Sequence, residues 1–319
     1  MEAIQVFDRP AFQAFYSVAG RLLFIESVNL ELRSLIVELF AGWQLTPVSF
    51  PDRPPDIQIS FSCDALPQRI PRHLETFEIA EGGKCYADAA GLHLELGGPV
   101  VHLENGHSIS VKVSFTELPR FGDPLLGRAA SFAVCAALRR YGLFDLHSAG
   151  VIEPESGNAV LIIGPSGSGK STLALQLAQA GWSYLSDDEL LLSLKDGVVE
   201  ARGFRSFFAV VEAGAQLKCC FEPLGSNRVD QANPACLLFI SLNGESRSQL
   251  GKLTQAETMT RLITACPWAT YDRFVASANL ELLSALARQA NGFDLSAGRD
   301  LLKPGFAASF FEPFVPFCG

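Results

Sequence analysis

Nine consecutive residues near the middle of the chain, GPSGSGKST at 164–172, have the composition of a phosphate-binding loop. Their glycines allow the backbone to curl so that several N–H groups point at one anion, and a helix that begins here adds the positive end of its dipole. The lysine can reach the outer phosphates as a point charge, and the serine after it can bind Mg²⁺. The predicted nucleotide-binding residues are Gly164, Pro165, Ser166, Gly167, Ser168, Gly169, Lys170, Ser171 and Thr172.

The segments on either side have the order that such a loop requires. AVLIIG at 159–164 reads as a short buried strand, and STLALQLAQAGW at 171–182 reads as a helix that Gly181 ends. A strand, a glycine-rich loop and a helix in this order predict a P-loop that binds the phosphates of ATP. The alternative is a glycine-rich turn that only caps a helix.

Two adjacent carboxylates and one histidine are the other candidates for chemistry. Asp187 and Asp188 follow Lys170 by 17 and 18 residues, which places them after the returning strand and beside the loop. One of them can hold Mg²⁺ while the other takes the proton of an incoming hydroxyl, and a solvated turn is the alternative. His147 lies on a strand candidate at 145–153. Its spacing alone favours a hydrogen-bonded core histidine over a catalytic one.

Four motifs in a fixed order resemble the kinase domain of HPr kinase/phosphorylase. They are LHSAGVIE, GPSGSGKS, YLSDDELLL and a Glu-Ala-Arg-Gly segment at 200–203, and the resemblance covers roughly residues 125–240. The resemblance implies an α/β fold class, with a P-loop kinase domain similar to the nucleotide domain of phosphoenolpyruvate carboxykinase. It also implies ATP and Mg²⁺ as cofactors and a serine on a small protein as the phosphoryl acceptor.

The resemblance also implies a role for each matching residue. Asp187 corresponds to the base that activates the acceptor serine, with His147 near it. Asp188 and Glu200 correspond to residues that serve the metal, and Arg202 to a cation that steadies the transferring phosphoryl group. The predicted catalytic residues are Asp187, His147, Lys170 and Arg202, and the predicted metal ligands are Ser171, Asp188 and Glu200.

Three stretches depart from the family or extend the resemblance. Residues 204–208, Phe-Arg-Ser-Phe-Phe, differ from the run that serves phosphorolysis, which argues against the reverse reaction. The first 120 residues look more like HPr-kinase-related proteins from gene clusters for modified peptides, such as lasso peptides. That likeness implies a peptide serine or another small acceptor. CPWATYDRF at 266–274 is similar to a segment of these relatives, and its Arg273 can reach a phosphate or a carboxylate unless it only begins a surface helix.

The chain divides into two predicted domains. Residues 1–121 form a smaller, strand-rich α+β domain with one clear helix at 29–43, for which Asn29 is a candidate N-cap. Residues 122–319 form the ATP-binding domain, which begins with a helix at 122–144. Asp196-Gly197 between two apolar runs predicts a hairpin inside the second domain. The first domain either recognises the peptide or small-protein acceptor or builds a homo-oligomer, and the sequence leaves both open.

Composition excludes several classes of partner. The formal net charge is −9, which argues against general binding to nucleic acid or to an anionic membrane surface. No apolar run reaches the roughly 18–20 residues that a membrane span needs, and the N-terminus lacks the pattern of a signal peptide. A cytoplasmic location is therefore expected.

Two other functions stay open beside a serine kinase. A small-molecule kinase also uses a P-loop followed by an aspartate, although its loop usually lies near the N-terminus and here 163 residues precede it. A binding protein that ATP merely switches between conformations is the second. The intact Asp-Asp pair argues against that function, because such a protein has no use for a catalytic base.

Overall fold

The computed structural model describes residues 12–63, 76–79, 83–120, 122–211, 218–221, 228–303 and 305–311. The chain is a mixed α/β protein with several sheets, and it divides into two compact units. The first unit comprises residues 1–141 and 270–276, and the second comprises residues 142–269 and 277–319.

The first unit is built on a nine-stranded mixed sheet. Its strand order is β3-β1-β2-β4-β9-β8-β7-β6-β5, in which β2, β4 and β9 are parallel and the other neighbours are antiparallel. Alternating apolar residues face the core, as in β4, where Ile57, Ile59 and Phe61 are buried. The strands are β1 (Phe12–Val18), β2 (Arg21–Ser27), β3 (Thr46–Pro47), β4 (Ile57–Cys63), β5 (Phe77–Ile79), β6 (Gly83–Ala87), β7 (Gly91–Glu95), β8 (Val100–Glu104) and β9 (Ile109–Phe115).

Two helices of this unit begin at residues whose side chains cap them, and the first of these caps, Asn29, is the one that the sequence predicts. The side chain of Asn29 accepts a hydrogen bond from Glu31 N at the start of α1 (Leu30–Ala41). In the same way, Asp123 caps α2 (Pro124–Arg139), which packs against β8 and β9. The structural division therefore differs from the predicted one at residue 121, because the apolar face of α2 packs on the first unit's sheet.

A buried ion pair attaches residues 270–276 to the first unit. Arg140 Nη1 donates to Asp272 Oδ2 at 2.5 Å, and the two side chains are 2% and 0% exposed. Arg140 Nε also donates to Asn105 Oδ1 at 2.8 Å. Two charges removed from water are tolerated only when each satisfies the other.

The second unit contains two main sheets and one small one. Its six-stranded sheet has the order β13-β11-β12-β19-β21-β20, and its antiparallel four-stranded sheet has the order β10-β14-β15-β18. The Asp196-Gly197 hairpin is confirmed, since both residues have positive φ between β14 and β15. The strands are β10 (Phe144–Leu146), β11 (Ser148–Ile152), β12 (Ala159–Ile163), β13 (Ser183–Ser186), β14 (Leu190–Lys195), β15 (Val198–Gly203), β16 (Phe208–Val211), β17 (Lys218–Phe221), β18 (Gln231–Ala232), β19 (Pro234–Leu242), β20 (Gln249–Lys252) and β21 (Asn291–Ala297).

The helices that follow residues 164–169 pack around the six-stranded sheet. Leu173 and Leu177 of the first of them are buried with Ile162, Leu238 and other apolar residues of the central strands. The remaining elements are α3 (Lys170–Gln179), α4 (Gln255–Ala265), α5 (Trp268–Tyr271), α6 (Ala276–Gln289), a 3₁₀ helix (Arg299–Leu302) and α7 (Phe306–Phe311). Within the described residues, every helix is too short or too polar to cross a membrane.

We predict that Asp272→Ala destabilises the protein by about 3–5 kcal/mol, because it leaves the Arg140 guanidinium buried and uncompensated. Urea unfolding followed by circular dichroism measures the change. The matched control is Asp294→Ala, which removes the exposed pair between Arg261 and Asp294 and should cost less than about 1 kcal/mol. Equal losses for the two variants would contradict the structural importance of the buried pair.

Candidate functional site

The loop at 164–169, called the glycine loop below, has a backbone shape that only glycine accommodates easily. Gly167 and Gly169 have φ values of +81° and +95°, in the left-handed region. At Gly164 the restriction is steric, since a Cβ would lie 2.5 Å from Ile240 O and 2.7 Å from Ser168 Oγ. The strand–loop–helix order predicted from the sequence is thus confirmed in its backbone geometry.

Helix α3 begins without a side-chain cap. Gly169 is its N-cap, no side chain accepts from its first N–H groups, and its first turn contains no acidic residue. By contrast, α1, α2 and α4 are capped by Asn29, Asp123 and Thr254. The first N–H groups of a helix have no partner inside the helix, so those of α3 are available to an anion.

Two chain crossings bring the other polar groups to the loop. His147 lies where the chain passes from β10 of the four-stranded sheet to β11 of the six-stranded sheet. Residues 187–189 lie where the chain passes back, from β13 to β14. Because β10 pairs with β14 and β11 pairs with β13, the two crossings lie side by side. The predicted continuous strand at 145–153 is therefore two strands, and His147 is the break between them.

A hydrogen-bonded chain runs from the loop lysine through the histidine to the second aspartate. Lys170 Nζ lies 3.0 Å from His147 Nε2, and His147 Nδ1 lies 3.3 Å from Asp188 Oδ1. Lys170 Nζ also donates to Gly164 O at 2.8 Å and to Pro165 O at 3.1 Å. Since an ammonium group only donates, Nε2 accepts here and the proton of a neutral ring lies on Nδ1, toward Asp188.

The two adjacent aspartates occupy different environments. Asp187 is 1% exposed, whereas the side chain of Asp188 is 51% exposed. Asp188 also has a φ of +72°, a conformation that is uncommon for residues other than glycine and is tolerated by aspartate. This left-handed residue turns the chain between the two sheets and directs the two carboxylates to different places.

Side chains that the sequence analysis did not single out hold the second crossing in place. Ser186 Oγ accepts from Arg205 N at 2.8 Å and lies 3.1 Å from Arg205 O, and the Ser186 residue is completely buried. The Arg205 guanidinium pairs with Glu189 at 2.8 Å. The available signal was the Phe-Arg-Ser-Phe-Phe stretch, whose arginine supplies this support.

Glu200 and Arg202 are not brought to the glycine loop by any contact among the described residues. Both lie on β15, where Glu200 pairs in register with Ser193, and the Arg202 side chain donates to Gln231. The end of β14 nearest to Asp188 pairs with Gly203, so Glu200 lies three residues, about 10 Å, farther along the strand. Their predicted metal and phosphoryl contacts stay predictions.

Ser171 and Thr172 lie in the first turn of α3 and are partly exposed. Arg273 belongs to the first unit, where its guanidinium lies 5.7 Å from the centre of the Phe77 ring.

Ser168 Oγ is buried and, among the described residues, has no hydrogen-bond partner. An unsatisfied hydroxyl, uncapped N–H groups and a lysine at one loop fit a phosphate group, and the Ser171 hydroxyl is a suitable oxygen ligand for Mg²⁺.

Comparison with known proteins adds little to this geometry. No protein-family model matches the sequence, and no curated protein matches it. Among solved structures, the HPr(Ser) kinase/phosphatase from Coxiella burnetii is similar over 33% of this chain and 70% of its own, at 17% identity and a TM-score of 0.25. A likeness of this size carries no argument about the function of this chain.

We predict that Gly164→Ala lowers the free energy of unfolding by about 1–3 kcal/mol, because the added methyl group overlaps Ile240 O and Ser168 Oγ. Gly251→Ala on β20 is the matched control, since a Cβ there meets nothing within 4 Å and the backbone has an ordinary φ. Thermal unfolding of the two variants measures the difference. A Gly164→Ala protein as stable as the control would contradict the close packing of the loop.

Proposed function

We propose that this chain is a kinase that transfers the γ-phosphoryl group of ATP, with Mg²⁺, to a serine hydroxyl of a peptide or small protein. The observation that carries the proposal is the hydrogen-bonded chain from Lys170 through His147 to Asp188, at the uncapped start of α3. Lys170, the candidate phosphate-binding group, lies beside His147 and Asp188, which are groups that can take a proton. A protein that only binds phosphate needs the first kind of group and has no use for the second.

The phosphates would bind where α3 begins. The N–H groups of its first turn, which no side chain caps, and the Lys170 ammonium would supply positive charge there, and the Ser171 hydroxyl would hold Mg²⁺. When bound, Mg²⁺ neutralises charge on the phosphate oxygens. Lys170 now donates to Gly164 O, Pro165 O and His147 Nε2, which uses all three of its protons. A phosphate oxygen must therefore replace at least one of these partners.

Movement of Lys170 onto phosphate frees His147 Nε2 to accept a proton. In the transfer step, the serine oxygen forms a bond to the γ-phosphorus while the bond from that phosphorus to the bridging oxygen breaks, and the nucleoside diphosphate leaves. The serine proton passes to His147 Nε2, and Asp188 stabilises the resulting imidazolium. This assigns the proton to the exposed pair rather than to Asp187, the predicted base, which is buried.

A label-transfer assay tests the proposal. The full chain is incubated with γ-labelled ATP, Mg²⁺ and a lysate of its source, with Lys170→Ala as the inactive control. We predict a labelled peptide or small protein carrying phosphoserine, absent with Lys170→Ala although that variant folds normally by circular dichroism. Label on a metabolite alone would indicate a small-molecule kinase. Tight ATP binding without any transfer would contradict the kinase and favour a binding protein that ATP switches.

Substitutions of the two aspartates distinguish a base formed by His147 together with Asp188 from a base at Asp187. We predict that Asp188→Asn lowers the transfer rate by about 100-fold or more, because the imidazolium formed when His147 takes the proton loses its stabilising carboxylate, and general-base catalysis contributes about that much. Asp187→Asn should lower it far less if that variant retains its fold, since the Asp187 carboxylate is buried. Initial rates at saturating ATP, with Ser193→Ala on β14 as a control for substitution nearby, measure both effects. The opposite order would return the role of base to Asp187.

A further inference from the structure

A cavity of about 300 Å³ adjoins the glycine loop on the side of α3 that faces β19 and the 3₁₀ helix. Its lining begins at Gly167 and Gly169 of the loop and continues along α3. The cavity therefore opens directly from the place where phosphate is proposed to bind. Its volume lies at the lower end of the range for small-ligand sites, which suits a single heterocycle and its sugar.

The walls of this cavity are apolar, which does not suit a further phosphate. Leu173 of α3, Ile240 and Leu242 of β19 and Leu301 of the 3₁₀ helix line it. Three of these side chains are buried, whereas Leu242 is 63% exposed although it is a large apolar residue. An exposed leucine beside an apolar cavity is a surface on which a flat ring can stack.

Two polar side chains in the lining can recognise a nucleotide base, one by a hydrogen bond and the other by stacking. Gln176 lies on α3 seven residues after Gly169, about 10 Å along the helix. Its Oε1 is buried and, within the described part of the chain, accepts no hydrogen bond. Arg299 is exposed at the edge of the cavity, where a guanidinium can lie over an aromatic ring.

We infer that the base of the nucleotide donor occupies this cavity. The base stacks on Leu242 and an exocyclic amino group donates to Gln176 Oε1, which favours adenine over hypoxanthine. The inference rests on the proposed function, because it takes the phosphates to lie on the glycine loop. Gln176 and Leu242 are then specificity residues that do not touch the reacting phosphorus.

Binding of three probes to the full chain tests the inference. The dissociation constants of ATP, ITP and tripolyphosphate are measured by calorimetry in the presence of Mg²⁺. We expect ATP to bind at least about tenfold more tightly than tripolyphosphate and more tightly than ITP. Equal affinity for ATP and tripolyphosphate would overturn the inference and leave the phosphate site standing, whereas no binding of any probe would overturn the proposed function as well.

Variants of the lining locate the base. Ala297→Phe fills the cavity, and Leu242→Ser removes the exposed stacking surface at little cost to folding. Each should weaken ATP binding by about tenfold and leave tripolyphosphate binding unchanged. Val198→Ser, an exposed apolar position on the β14–β15 hairpin, is the control and should change neither constant. ATP binding unchanged in Leu242→Ser would overturn the placement, even if Ala297→Phe failed to fold.

Gln176→Leu tests whether the Gln176 amide recognises the base or only fills space in the lining of the cavity. The variant keeps a side chain of similar size and removes the acceptor, so the preference for ATP over ITP should disappear while tripolyphosphate binding stays unchanged. A preference retained in this variant would contradict the role of Gln176.

Discussion

The side-by-side crossing of the chain between two sheets is the constraint on which the site depends. Each crossing is short, with one residue between β10 and β11 and three between β13 and β14. Because the strands on both sides of each crossing are paired, His147 and Asp188 have little freedom to separate. Buried Ser186 and the Glu189–Arg205 pair fix the longer crossing further. Rigid strands therefore hold His147 and Asp188 in positions that a long loop would fix less precisely.

The glycine loop supplies the positive electrostatic potential that a phosphate group requires. The chain carries a net charge of −9, yet the start of α3 concentrates N–H dipoles and one ammonium where no carboxylate caps the helix. Lys170 is 5% exposed and is kept in place by two carbonyl oxygens and a histidine nitrogen. These three acceptors are neutral, so replacing one of them with a phosphate oxygen adds the attraction between opposite charges. The site is thus organised before any ligand binds.

Local patterns in the sequence predicted the local structure well. The cap at Asn29, the Asp196-Gly197 hairpin and the strand–loop–helix around the glycine loop depend on neighbouring residues, and all three are present. Features set by packing between distant segments were not predictable in this way. The break at His147 arises because the strands before and after it join different sheets, which no residue near it indicates. The association of α2 with the first unit has the same kind of cause.

The sequence predicted which residues belong to the candidate site better than it predicted how those residues are arranged. Spacing was sufficient to select Lys170 and the aspartates, whereas His147 was selected through the resemblance of the motif order. It was not sufficient to show that Asp187 is buried while Asp188 pairs with the histidine, because the positive φ of Asp188 decides which carboxylate faces outward. For Glu200 and Arg202, register along β15 determines the position, and motif order alone carries no information about register.

The central claim is that His147 and Asp188 act as one unit on a proton during phosphoryl transfer. A double-mutant cycle tests it most directly, using initial rates of γ-phosphoryl transfer for His147→Asn, Asp188→Asn and the double variant. The account predicts that the double variant is about as slow as the slower single variant, since groups that act together lose their effect together. Two losses that simply multiply would show that the side chains act independently and would contradict the account.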